Sequence, residues 1–149
     1  MSFLSKRNLQ LSEHFIIWGV RQWVICNNSK EDAIPLLNKI YSTKNVQKLT
    51  VSINNFMCTF SKNKEIDIYC LCHNELSFSE INILKSIYLA QNGYDVECIR
   101  CISRFISEKE KNAFENIISI SSTLLCKNYI IPSRSEYLLN CSEGKYRFH

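Results

Sequence analysis

The chain has 149 residues, of which 46% are apolar, 21% charged and 11% aromatic, and 18 basic against 14 acidic residues leave a net charge of +4. Such a composition suits one folded domain with a substantial core and excludes a disordered chain. The mild charge also excludes a surface given over wholly to DNA or to a lipid headgroup layer.

No uncharged apolar run approaches the ~18 residues that cross a bilayer. Glu13, His14 and Arg21 interrupt the first apolar stretch, and no small-residue cleavage site follows Lys6 and Arg7, so no secretion signal is expected. The expectation is a cytosolic protein with no membrane contact. In that compartment the eight cysteines are expected as thiols rather than as disulfides.

The first element reads SEHFIIWGVRQWVIC. Ser12 is the expected N-cap, since its hydroxyl can accept from a free N–H of the first turn. Apolar residues fill most of the circumference, with Gln10, His14 and Arg21 on one polar stripe, as in a largely buried helix. Trp18 and Trp23 lie five positions apart, about 140° around the helix, so they face different directions, and one is free to reach a partner.

In NNSKEDAIPLLNKIYS, Pro35 is tolerated in a first helical turn. Asp32 is the expected cap, and Ile34, Leu37 and Tyr41 share a face. In NVQKLTVSINNFMCTF, Val46, Leu49, Ile53, Phe56 and Phe60 follow spacings of three and four, the signature of a helix, although Thr50, Val51 and Ile53 are weak helix formers. The period then changes to two in EIDIYCLC, which predicts a short extended segment near residues 65–72.

Ser77 and Glu80 fit a capping box that opens a helix carrying Ile81, Leu84, Ile87 and Tyr88. Asn92-Gly93 is its expected end. Asp95 is the expected cap of the next helix, which has two competing stripes: Ile99, Ile102 and Ile106, or Tyr94, Cys98, Cys101 and Phe105. Ser107 and Glu110 suggest a second capping box, followed by a helix with Ala113, Phe114, Ile117, Ser121, Leu124 and Leu125 on one side. The tail pairs Ile130-Ile131 and Leu138-Leu139 are expected to pack against the body. The sum is a mostly α, compact bundle of about six helices, one domain over residues 1–149, with loose ends at roughly 1–8 and 142–149.

Three constellations bear on chemistry. Cys70, Cys72 or His73, Cys98 and Cys101 offer the thiolate and imidazole ligands of a tetrahedral Zn2+ site. Against this, each pair falls where a small core residue would fall, and buried cysteine behaves as a small hydrophobe. Cys98-x-x-Cys101 also has redox spacing, but it lies inside a helix rather than at a helix start. Second, residues 77–125 have the order of a helix-turn-helix unit, whose last helix would present Lys109, Lys111 and Asn112 to DNA. The neighbouring Glu108, Glu110 and Glu115 oppose phosphate contact. Third, Trp18 and Trp23 are candidate contacts for a protein partner or for self-association.

No catalytic residue is assigned. The chain has no phosphate-cradling glycine loop and no nucleophile elbow, and Gly19, Gly93 and Gly144 are its only glycines. The expectation is a non-enzymatic interaction or regulatory module without a cofactor. The alternatives are a DNA-binding regulator and a zinc-stabilised domain.

Overall fold

Val46, Leu49, Ile53, Phe56 and Phe60 are all buried, and the last four lie on a helix over Leu49–Phe60, with Val46 just ahead of it. Period therefore outweighs propensity here, because the tertiary burial of five large side chains exceeds the few tenths of a kcal/mol that weak formers cost. A computed structural model describes residues 4–62 and 66–138. Within them lie the α-helices α1 Leu11–Asn28, α2 Ile34–Ser42, α3 Leu49–Phe60, α4 Phe78–Gln91, α5 Asp95–Phe105 and α6 Glu110–Cys126, with a further helical turn at 135–138. A 3-10 turn at Lys6–Asn8 precedes them. The described residues contain no strand, only one isolated antiparallel bridge between Ser5 and Glu75. The fold is thus a mostly α bundle, and residues 66–70 are an extended connection.

α4 is the central element. Every residue from Ser79 to Leu89 except Ile81 is buried, because α1, α5 and α6 pack around it. α6 lies against both α3 and α4, and α2 covers α3. One apolar cluster runs through all of them, from Leu4 to Tyr137. None of the described helices is long and apolar enough to cross a membrane.

The ends of the helices follow local chemistry in part. Ser77 caps α4: its hydroxyl accepts from the Glu80 N–H at 3.0 Å, and the Glu80 carboxylate accepts from the Ser77 N–H at 2.9 Å. Gly93 ends that helix with a φ of 76°, in the left-handed region that glycine enters without strain. Pro35 sits in the first turn of α2, and Asp32 takes the N–H of Ile34 at 3.0 Å.

Four expected caps are corrected: α2 has Ala33, not Asp32, at its N-cap, and α5 has Tyr94 there, with Asp95 in its first turn. α1 is capped at Gln10, not Ser12: the Glu13 carboxylate accepts from the Gln10 N–H, while the Ser12 hydroxyl donates to the distant Ile130 carbonyl at 2.8 Å. α6 has Lys109, at a φ of 60°, as its N-cap, so the Ser107–Glu110 box is displaced. The buried face of α5 draws on both stripes: Cys98, Cys101, Ile102 and Ile106 are inside, while Tyr94 and Ile99 are exposed. Of the tail pairs, Ile131 is buried and Ile130 exposed, and Leu138 is exposed. Leu139 and residues 142–149 lie outside the described residues. At the other end, Leu4 is buried and its carbonyl accepts from the Leu76 N–H, so the chain is already held there.

Gly19 has a steric reason. A Cβ at this position would lie 2.0 Å from the Tyr41 hydroxyl oxygen. That hydroxyl donates to the Phe15 carbonyl at 2.6 Å, bringing α2 close against α1.

Candidate functional site

Two buried junctions bring opposite charges together. Arg21 on α1 and Glu80 on α4 are buried and form a two-pronged ion pair at 2.8 and 2.9 Å. Two further Arg21 N–H groups donate to the carbonyls of His73 and Glu75. The Glu80 oxygens also accept from the N–H groups of Ser77 and Tyr69. A second junction joins the tail to α1. The buried Glu13 accepts two hydrogen bonds from Arg134, at 2.7 and 2.6 Å, and one from the Tyr137 hydroxyl. The bond to Glu13 raises the Arg134 pKa, and burial raises that of Tyr137. Each group here has its partners within the chain, so these junctions hold the architecture together rather than await a ligand.

The open polar surface lies elsewhere, along the seam between α3 and α6. One cleft of about 450 Å³ is lined by Asn45, Gln47, Lys48, Ser119, Thr123 and Lys127, among others. A second, of about 430 Å³, is lined by Asn55, Thr59, Lys62, Lys109, Asn112, Glu115 and Asn116, among others. The start of α3 thus faces the end of α6, and the end of α3 faces the start of α6, so the two helices run antiparallel. Between the clefts, the hydroxyls of Ser52 and Ser119 meet at 2.7 Å.

The seam has a simple origin in the sequence. Ser52, Asn55 and Thr59 share one face of α3, and Lys48 and Lys62 flank that helix at the same four–three spacing. Lys109, Asn112, Asn116, Ser119, Thr123 and Lys127 likewise share one face of α6. Each stripe begins and ends with lysine, and all four lysines are exposed. The lysines flank α3, whose 12 residues span about 18 Å at 1.5 Å per residue.

Of the three residues singled out on α6, Lys109 and Asn112 line the second cleft, and Lys111 is exposed beside it. Lys48, Lys62 and Lys127 were not singled out by the sequence reading. The four–three period of their stripes carries the signal, but only the fold shows that the two stripes face each other.

The cysteines are divided. Cys98 and Cys101 are buried against α4. The Cys98 thiol donates to the Ser86 carbonyl at 3.3 Å, and Cys101 accepts from the Ser86 hydroxyl. Burial pushes the Cys98 thiol up to about 12. Cys70 and Cys72 are exposed instead. The apolar row of Ile66 and Ile68 packs on the core, but the chain turns at Leu71-Cys72 and carries the two thiols out to solvent. His73 lies beside them, its ring 4.2 Å from that of Tyr69. Among the described residues, no three His, Cys, Asp or Glu side chains come together as metal ligands.

Trp23 is a core residue whose indole N–H donates to Asn54 on α3 at 2.9 Å. Trp18 is half-buried, with its ring edge-on to Tyr41 at 5.7 Å. The tryptophan with access to the surface is therefore Trp18.

No protein-family model matches this chain, and comparison with curated proteins and with solved structures gives no significant match.

Proposed function

We propose that the protein is a non-enzymatic, cytosolic interaction module that holds the sugar–phosphate backbone of a nucleic acid along the α3–α6 seam. The observation that carries this reading is the pair of facing stripes, each with a lysine at both ends and neutral hydrogen-bonding side chains between. Lys, Asn, Gln, Ser and Thr are the side chains that contact phosphate and sugar. No aromatic ring lines either cleft, so the seam offers no stacking platform for unpaired bases. The partner it fits is a duplex gripped by its backbone with little regard to sequence. Glu115 is the one acid in the lining and opposes this binding locally.

Fluorescence anisotropy with a labelled duplex, a single strand and an acidic peptide tests the reading. If all four lysines meet phosphates, log K against log salt should fall with a slope of about −3.6 for the duplex. The double exchanges K48E/K127E and K62E/K109E should each remove most of the binding. Duplex binding that ignores salt, or that survives both exchanges, would overturn the assignment. Binding to the acidic peptide alone would give the seam to a protein partner instead.

A further inference from the structure

The connection before α4 holds two exposed thiols on an unusually well-fixed frame. The Cys70 and Cys72 sulfurs are 3.4 Å apart. The backbone beneath them is held almost carbonyl by carbonyl. Cys70 accepts from the His73 N–H at 3.0 Å, closing a turn. Leu71 accepts from the Lys6 ammonium at 2.9 Å. His73 and Glu75 accept from the buried Arg21, and Asn74 accepts from the Lys6 N–H at 2.6 Å. The two sulfurs are therefore neighbours on a turn whose backbone is held in place. Bringing them to the ~2.05 Å of a disulfide requires side-chain rotation on this turn, with no opening of the helices.

We infer that Cys70 and Cys72 form a reversible dithiol–disulfide site that exchanges with a low-molecular-weight disulfide of the glutathione type. The Cys70 thiolate attacks one sulfur of that disulfide. A new S–S bond to Cys70 forms, the old S–S bond breaks, and one small thiolate leaves and takes a proton from water. The Cys72 thiol gives its proton to solvent, and its sulfur attacks the Cys70 sulfur. The second small thiolate leaves. Two protein thiols have lost two electrons and two protons, and one small disulfide has become two thiols.

Cys70 is the attacking member. The hydrogen bond with the Cys72 thiol lowers its pKa, and the N–H groups of Cys72 and His73 and the Arg21 charge act in the same direction. A lowered pKa raises the thiolate fraction that does the chemistry. The other exposed cysteines, Cys58 and Cys126, lie on α3 and α6 and so give an internal comparison. Cys98 and Cys101 are buried, and Cys98 is held as a neutral thiol, so they should stay silent while the fold is intact. The site uses no seam residue and stands independently of the nucleic-acid reading.

The full chain is treated with oxidised glutathione, quenched in acid, alkylated, digested and read by mass spectrometry. In the unaltered protein the peptide holding both residues should lose two hydrogens, and reduced glutathione should restore it. Cys72→Ser should stop at glutathione on Cys70, formed several-fold faster than on Cys58 or Cys126. Cys70→Ser should slow the reaction of Cys72 to the rate of those two. A stable mixed disulfide in the unaltered protein, with no internal bond, would overturn the inference, as would alkylation of Cys70 at the Cys58 rate. Both substitutions are at exposed positions, so neither result depends on a folding defect.

Discussion

The Arg21–Glu80 junction and the α3–α6 seam are both made of charged and polar side chains, yet they are built on opposite terms. At the junction, guanidinium, carboxylate, carbonyls and N–H groups are matched and out of water. At the seam, four lysines stand in water at the corners of two clefts. The difference teaches which polar groups maintain the fold and which are available to something else. Removing a member of the junction strands its partner in the interior, which is costly. Removing a seam lysine strands nothing.

The sharpest break of this comparison is Arg21→Met. It leaves the Glu80 carboxylate and the carbonyls of His73 and Glu75 without their donor, and the expected loss is about 3–5 kcal/mol in urea unfolding. The double variant R21M/E80M should recover a large part of that loss. A single-variant loss below about 1 kcal/mol would place this pair with surface ion pairs. Next in size is Gly19→Ala, where the new methyl meets the Tyr41 hydroxyl. Overpacking of this kind costs about 1–3 kcal/mol, and the cost should shrink in a Tyr41→Phe background, where the clashing oxygen is gone.

A smaller effect separates the buried thiols from the exposed ones through pH. The fold keeps Cys98 neutral, so its contribution to stability is complete below the thiol's ordinary value near 9 and is lost as pH rises towards about 12. Urea midpoints measured over that range should fall more steeply in the unaltered protein than in Cys98→Ala. Equal slopes would mean that Cys98 ionises as freely folded as unfolded. The smallest effect belongs to the seam. K48E/K127E and K62E/K109E should change stability by no more than about 0.5 kcal/mol, as isolated surface exchanges do, even where nucleic-acid binding disappears. A large loss of stability in either would move those lysines to the structural side of the comparison.

Much of the fold was legible because its determinants are local. The three–four period of Val46 to Phe60 survives weak helix propensities, and the Ser77–Glu80 box is realised in full, since both partners lie within one turn. Where the sequence misled, a distant partner intervened. Ser12 looks like a cap, but its hydroxyl serves the Ile130 carbonyl, which no local pattern reveals. Cys70 and Cys72 share parity with Ile66 and Ile68, yet the chain turns beneath them. The turn is set by Arg21 and Lys6, residues some fifty and sixty-five positions away. The candidate seam was half legible. Its stripes are periodic in the sequence, but their antiparallel meeting depends on how α6 lies against α3, and that is a property of the whole bundle.

The grip on the connection ahead of α4 works through carbonyl oxygens, which every residue carries. Its path therefore depends little on the side chains it displays, His73 excepted, whose Nδ1 accepts from the Glu75 N–H at 3.2 Å. Shape and chemistry are separately adjustable here. Residues 70–75 form a socket in which one short sequence can be exchanged for another while Arg21 and Lys6 keep the same contour, so this is the place on the molecule where a new surface specificity could be installed without redesigning the bundle.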